Sequence, residues 1–501
     1  MRWWAACGAL ALIVAIAVVA LGLPEFSQSP ATPSIAPAQG SEVSAAPERG
    51  ATLNAPASEA VETASVQGVR ETAHVTPHAS KLAPLYGALV KVESGAAAAP
   101  VTILHLGDSH IASDRITGEV RRLLQARFGD AGRGLMMPGF PFPYYKAPGF
   151  SFEKTGKWTA ANSLNEDGAY GITGVSLTGS GADAVLKLAS TTGPFTVPEV
   201  SLLAGPGGGH AVISAGDRSE EVATGAVTRS VLRVRLPVKA ASLEVAVKGD
   251  GTVTVLGLSA GSGGRGVRYV NLGIPSASAL TTRRFDRALS ASDIGELAPK
   301  LVVLGYGTNE GFIDGLDLDA YEKEYVRLVE LVKAAAPDAA LLILGPLDGT
   351  RLPGFVKGNA RAAAPCRPLS ASEQSDYDAM LAMEDPHLAR WHEPPKLAVV
   401  RSLLARIADR YNATYWDLSS VMGGLCSIDR WARAAPPLAM PDHVHLSDEG
   451  SRRVGQAIYA ALIKGYERYR EQAAGSGGPD SVTDDDPATP ERVAGPPVPA
   501  P

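Results

Sequence analysis

Apolar and polar positions along this chain follow two rhythms, and each rhythm occupies its own stretch. In the first, short apolar runs are separated by segments of helical spacing. Residues 101–106 form a run rich in β-branched side chains, as a buried parallel strand requires. The next segment sets Ile116, Val120, Leu123, Leu124 and Phe128 on one helical face, with Ser113 and Asp114 suited to its first turn. Residues 269–272, 301–304 and 341–344 read as further central strands, and 414–416 as a shorter one. Tyr321, Tyr325, Leu328, Val329 and Val332 mark an amphipathic helix, and Val454, Ile458, Leu462 and Tyr466 mark another near the end. Strands alternating with helices predict an α/β fold. Its core is a doubly wound parallel sheet, with ligands at the carboxyl ends of the strands.

The second rhythm has period two. Residues 150–264 are rich in Gly, Ser and Thr, and 231–236, 243–247 and 252–256 alternate apolar with polar. Several short strands at this spacing predict an inserted all-β sandwich that splits the α/β domain into 81–149 and 265–472. The insert either binds carbohydrate or props the catalytic domain. Trp158 and Tyr170 are the aromatic side chains near its start that could stack on a sugar.

The chain ends follow neither rhythm. Trp3 to Leu23 runs without a charge after Met1-Arg2, long enough to cross a bilayer as an uncleaved anchor. A long secretory segment cut near Ala20-Leu21-Gly22 is the other reading. Both readings export the chain beyond Leu23, giving a periplasmic or extracellular protein. Residues 24–80 are dominated by Pro, Ala, Ser and Glu and read as a tether, because they have too little apolar surface to offset ordering entropy. Residues 473–501 read as a tail of the same kind.

A net charge of −6 with mixed signs gives no basic stripe, which excludes nucleic acid as the expected partner. Cys366 and Cys426 either form a disulfide, which an exported location permits, or remain two buried thiols. No CxxC or HExxH spacing occurs, so neither a metal nor another cofactor is expected.

Chemistry concentrates at two distant strings. Gly107-Asp108-Ser109-His110 ends the first strand, and Asp442-His443-Val444-His445-Leu446 lies far downstream. A serine hydroxyl needs an imidazole to take its proton, and the imidazole needs a carboxylate to fix its tautomer. Ser109, His445 and Asp442 supply all three groups, which predicts a serine hydrolase acting on an ester. His443 is the competing base. Asp108 is expected to brace the Ser109 turn, and His110 either lines the pocket or packs beside it. Tyr144 and Tyr145 are either substrate contacts or parts of a packed loop.

These strings, with Gly307-Thr308-Asn309-Glu310 between them, resemble the blocks of the SGNH (GDSL-like) hydrolase superfamily. The GDSH form, the insert and Trp416-Asp417-Leu418 look most like its peptidoglycan O-acetylesterase branch. The resemblance implies an oxyanion hole made by the N–H of Ser109, the side-chain amide of Asn309 and one further N–H. In Asn271-Leu272-Gly273-Ile274-Pro275-Ser276 the register places Ser276 where that superfamily carries glycine, and Gly273 then serves the turn. A left-handed backbone there would strain a serine. The resemblance further implies an exported or membrane-tethered esterase that removes O-acetyl groups from a polysaccharide, most of all peptidoglycan. Two rivals stay open: an acetyltransferase with the same triad, and a non-catalytic wall-binding protein.

Overall fold

The computed structural model describes residues 80–358 and 363–475. The anchor expected at 1–23 and the tether expected at 24–80, apart from residue 80, lie outside the described residues, as does the tail beyond 475. Residues 473–475 end the last helix, Asp448–Gly475.

In chain order, α1 (Ala83–Glu93) leads into β1 (Val101–Gly107), the short α2 (Ser109–Ala112) and α3 (Arg115–Phe128). An antiparallel region comes next: β2 (Gly132–Met136), β3 (Phe150–Asn162), β4 (Val175–Ser190), β5 (Val197–Ala204) and β6 (His210–Ala215). It continues through β7 (Arg218–Ala223), β8 (Ser230–Arg235), β9 (Ser242–Val247) and β10 (Val253–Gly261). The chain then returns through β11 (Val267–Gly273), α4 (Arg287–Leu297), β12 (Leu301–Gly305), α5 (Thr308–Gly311) and α6 (Leu318–Ala335). β13 (Ala340–Gly345), a helix at Pro395–Arg410 and β14 (Thr414–Asp417) complete the sheet.

β11, β1, β12, β13 and β14 form, in that order, one sheet with every pair parallel. Alternate residues of each strand point to opposite faces, and both faces are covered, which is why the strands read as continuous apolar runs. Leu104, Leu106, Val302, Leu304 and Ile343 meet α6 and the helix Pro395–Arg410 through Tyr321, Tyr325, Leu328, Val400 and Leu404. Ile103, Tyr269, Val303, Leu342 and Leu344 meet α1, α3 and the last helix through Leu85, Ile116, Val120, Ile458 and Leu462. Each leucine fully buried this way contributes about 1.5–3 kcal/mol. The five expected strands and the expected helices around Ile116, Tyr325 and Ile458 all stand in this framework.

The insert departs from the expected sandwich. Its strands form a single hydrogen-bonded antiparallel sheet that curls over, instead of two separate sheets. The reason is that β3 and β4 run through the corner unbroken. β4 pairs with β10 through Leu177–Gly179 and with β9 through Val185–Ala189, while β3 runs along its other edge. The pairing of β3 with β4 shifts register between Thr155 and Lys157. Gly156 sits there at φ +69°, and a Cβ on it would lie 2.5 Å from the carbonyl oxygen of Asp183.

The boundary also moves. β2, ahead of residue 150, pairs with β10 and belongs to the curled sheet. Leu177, Leu186, Val200, Val245 and Leu258 share one apolar core with Leu104 and Leu106 of the parallel sheet. Arg233 and Arg235 add ion pairs to Asp293 and Glu296 on α4, at 2.7 and 2.8 Å. Of the two expected stackers, Tyr170 is buried, and Trp158 packs against the core with its Nε1–H donated to the Thr155 carbonyl.

Candidate active site

Gly107, Gly273 and Gly305 end three neighbouring parallel strands, and the turns after them converge at one edge of the sheet. On the first turn Asp108 caps α2: its Oδ1 accepts the backbone N–H of His110 at 3.0 Å, and Ser109 occupies the first helical position. Asp108 braces the turn, as its sequence position suggested. From the adjacent strand, buried Asn271 holds α2 in place by donating its side-chain amide to the carbonyl of Ile111 at 2.7 Å. The Asn271 amide oxygen accepts the N–H of Gly273 at 3.0 Å. A Cβ on Gly273 would lie 2.2 Å from the Ala112 nitrogen, so glycine is what lets α2 lie this close to the strand. With its N–H already donated to Asn271, Gly273 has none to offer a ligand.

Asp114, expected in the first helical turn, is the residue just before α3, at φ +54°, and makes no side-chain capping bond. Its carboxylate is buried and paired with Arg121 and Arg133, each at 2.6 Å. Although burial acts to raise it, those two guanidinium groups hold the carboxyl well below the usual range.

The structure brings Ser109, His445 and Asp442 together. The hydroxyl of Ser109 lies 3.0 Å from His445 Nε2, and His445 Nδ1 lies 2.7 Å from Asp442 Oδ2. Asp442 Oδ1 accepts the N–H groups of Val444 and His445 at 3.0 and 2.9 Å, so one tight turn presents both side chains. Burial would raise the Asp442 carboxyl, but the His445 ring and these amides hold it down to about 2. The stabilisation from a depressed carboxyl is present above its unfolded value, about 3.9. It is lost only as pH falls through about 2, so Asp442 is ionised at neutral pH. Both His445 and Asp442 are close to half exposed, which leaves the site open to water.

His443, the competing base, points elsewhere. It is buried and stacked on Trp391 at 3.6 Å, with Thr350 Oγ1 3.3 Å and Asp429 Oδ1 3.4 Å from its Nδ1. Cys366 and Cys426 form a disulfide, and the N–H of Cys366 donates to Asp429 Oδ2.

Asn309 donates Nδ2–H to the carbonyl of Ala277 at 2.7 Å. Between Gly273 and Ala277 stands Ser276, exposed and at φ +63°, the left-handed conformation in which a serine is strained. Among the described residues, the backbone N–H groups of Ser109 and Ser276 donate to no protein acceptor. Glu310 was not singled out in the sequence. It is fully buried, its Oε1 accepts the N–H of Ala279 at 2.8 Å, and burial pushes its carboxyl up to about 7. Tyr145 is buried and accepts the N–H of Met137, whereas Tyr144 is exposed. Among the described residues, no three His, Cys, Asp or Glu side chains converge as a metal-binding group.

The profile of the GDSL-like lipase/acylhydrolase family matches residues 248–453, which takes in Asn309, Asp442 and His445. Ser109 lies upstream of that span. No curated protein matches the chain in sequence. A solved structure titled as a peptidoglycan O-acetylesterase in action superposes with a TM-score of 0.62 at 21% identity. That alignment covers 77% of this chain and 96% of the other. An acetyl xylan esterase covers 39% of this chain and 82% of its own at 16% identity, with a TM-score of 0.26 too low to argue from. Residues 248–453 thus match the GDSL-like lipase/acylhydrolase family, and the fold is like that of a peptidoglycan O-acetylesterase.

Proposed function

We propose that this protein is an exported serine esterase that removes O-acetyl groups from a cell-envelope polysaccharide, with peptidoglycan as the polymer. The observation that carries the reading is the unbroken relay from Ser109 Oγ through His445 to Asp442. Ser109 attacks the acetyl carbonyl while His445 Nε2 takes its proton, and Asp442 stabilises the resulting imidazolium. The carbonyl electrons move onto oxygen. Three donors free of protein acceptors suit that oxyanion: the N–H groups of Ser109 and Ser276 and the second hydrogen of the Asn309 amide. Collapse expels the sugar alkoxide, which takes the proton from His445. Water then attacks the acetyl-Ser109 ester with His445 again as base, releasing acetate and restoring the hydroxyl.

Hydrolysis is favoured over transfer to another sugar by the half-exposed His445 and Asp442, since water reaches the base directly. Support for export comes from the uncharged segment 3–23 and from the Cys366–Cys426 disulfide, a bond that persists in oxidising compartments. Peptidoglycan as the polymer rests on the fold shared with a peptidoglycan O-acetylesterase over most of both chains.

The test is acetate release from O-acetylated peptidoglycan, acetylated xylan and acetylated alginate side by side, with the wild type and Ser109→Ala. Release is expected from peptidoglycan first, and none from the variant. Turnover that survives Ser109→Ala would remove the nucleophile assignment. Acetyl transfer to an added chitooligosaccharide without free acetate would favour the transferase.

A further inference from the structure

His110 directly succeeds the nucleophile in sequence, yet the ester chemistry gives it no task. Its side chain is buried, with Nδ1 3.3 Å from Asp108 Oδ1 and Nε2 3.0 Å from the carbonyl oxygen of Val444. A carbonyl only accepts hydrogen bonds, and so does an ionised carboxylate. Asp108 is ionised: burial opposes it, but the His110 ring and N–H and the Thr308 hydroxyl keep its carboxyl below the ordinary value. Both ring nitrogens therefore face acceptors, and each needs a proton. Turning the ring over does not avoid this, because it sets carbon against both acceptors and forfeits both bonds.

The Val444 carbonyl belongs to the peptide group that supplies the N–H of His445. That group is gripped on both sides, its oxygen by His110 Nε2 and its N–H by Asp442 Oδ1 at 2.9 Å. The tilt of this peptide sets where the Cα of His445 stands, and so where its ring meets Ser109.

We propose that His110 is a positioning residue: a doubly protonated clamp that joins the nucleophile turn to the 442–446 loop and fixes His445 against Ser109. The proposal rests on the triad reading above. Its charge balance is local. Asp108 supplies the counter-charge on its own turn, and Asp442 adds a second carboxylate across the gap. His445 is the nearest other imidazole, ring to ring at 5.4 Å. Of the elements packed on α2, β1 brings His105, which burial keeps neutral at about 3, and β11 brings uncharged Asn271. α3 brings Asp114, already paired with Arg121 and Arg133, and Arg115, paired with Asp448. On α5, Glu310 faces Asp108 with its carboxyl raised by burial.

Burial acts to lower the His110 ring, but Asp108, the Val444 carbonyl and Asp442 outweigh it and raise it above the ordinary value. For a raised histidine the stabilisation is fully present below about 6.5 and is lost as pH rises through the folded value. The clamp is thus lost on the alkaline side.

Two measurements test it. Nitrogen-15 NMR on Ser109→Ala, at about pH 7, is expected to show both His110 nitrogens protonated; a single proton would overturn the proposal. This reading is independent of turnover, so it stands apart from the fate of the nucleophile assignment. His110→Gln keeps one donor end and satisfies Asp108 or Val444 but not both. It is expected to lower kcat by about 10-fold or more with KM little changed, since small misplacements of a catalytic group are costly. The wild type is expected to lose kcat on the alkaline side, and the variant is expected to lack that fall. An unchanged kcat, or an alkaline limb retained in the variant, would refute the clamp.

Discussion

The side-chain amide of Asn309 donates to the carbonyl oxygen of Ala277 at 2.7 Å, which fixes the turn after β12 to the segment that carries Ser276. An amide nitrogen has two hydrogens, so this bond uses one and leaves the other for an oxyanion. Loss of such a donor costs about 100- to 1000-fold in kcat. Asn309→Ala is accordingly expected to lower kcat on a small acetyl ester by that order while KM moves little. Asn309→Asp is expected to fare no better, because a carboxylate repels both the Ala277 carbonyl and the oxyanion. Steady-state kinetics decide the matter, and a kcat within about threefold of wild type for Asn309→Ala would exclude it from the hole.

Ser276 tests whether the third donor is a backbone group. The left-handed conformation at φ +63° costs an L-residue about 1–2 kcal/mol, which glycine does not incur. Glycine also loosens the unfolded chain, by about 0.4–1 kcal/mol. Ser276→Gly should therefore change stability by less than about 1 kcal/mol and keep kcat within about twofold, because the N–H survives the substitution. Ser276→Val places a β-branched side chain where it is a strong outlier. It should turn the peptide away and lower kcat by about 10-fold or more. A Gly variant that loses activity would instead assign the work to the serine hydroxyl.

Glu310 makes stability depend on pH in a predictable direction. Its folded carboxyl titrates near 7 because burial disfavours the charge, whereas the unfolded value is about 4.3. The protonated form is favoured on folding, so this contribution is complete below about pH 4 and is lost as pH rises through about 7. Relative to the unfolded chain this preference is worth up to about 4 kcal/mol, all of it gone once the buried group has ionised. Glu310→Gln keeps an oxygen for the Ala279 N–H and removes the titration. Urea midpoints for the wild type should fall between about pH 5 and pH 8 relative to those of the variant. Parallel pH profiles for the two proteins would contradict the assignment.

How far the sequence revealed this site depends on which interactions are local. Asp442 and His445 share a turn of four residues and Ser109 follows an apolar strand run, so residue type and spacing pointed to them, whereas Asn309 came from the resemblance to SGNH hydrolases. His443 lies two residues from His445, and locally only the three-residue offset from Asp442 and the following Leu446 favour His445. What removes His443 from the chemistry is the stack on Trp391 and the contact with Asp429, both distant in sequence. Alternation in residues 150–264 gave the faces of the strands but not their partners, which is why one curled sheet was read as two. Asn271 was a visible signal, a polar side chain inside an apolar strand. Its partners on α2 and α3, like Glu310's hold on Ala279, exist only after the chain has folded.

The Cys366–Cys426 disulfide connects stability to catalysis. It closes a loop of sequence separation 60, for which chain entropy gives about 4 kcal/mol of stabilisation and measured cases about 2–5. From Cys366 the N–H reaches Asp429 Oδ2, and Asp429 Oδ1 lies 3.4 Å from His443 Nδ1. The carbonyl of His443 in turn accepts the N–H of Thr350, and His443 adjoins Asp442. Removing the bridge should therefore weaken the support of the catalytic loop as well as the fold. The double variant Cys366→Ser, Cys426→Ser is expected to unfold in urea with about 2–5 kcal/mol less stability. Below its transition, where it is still folded, it should show a kcat reduced by several-fold with KM nearly constant. A full loss of stabilisation with an unaltered kcat would confine the disulfide to the fold and break the proposed path through Asp429 and His443.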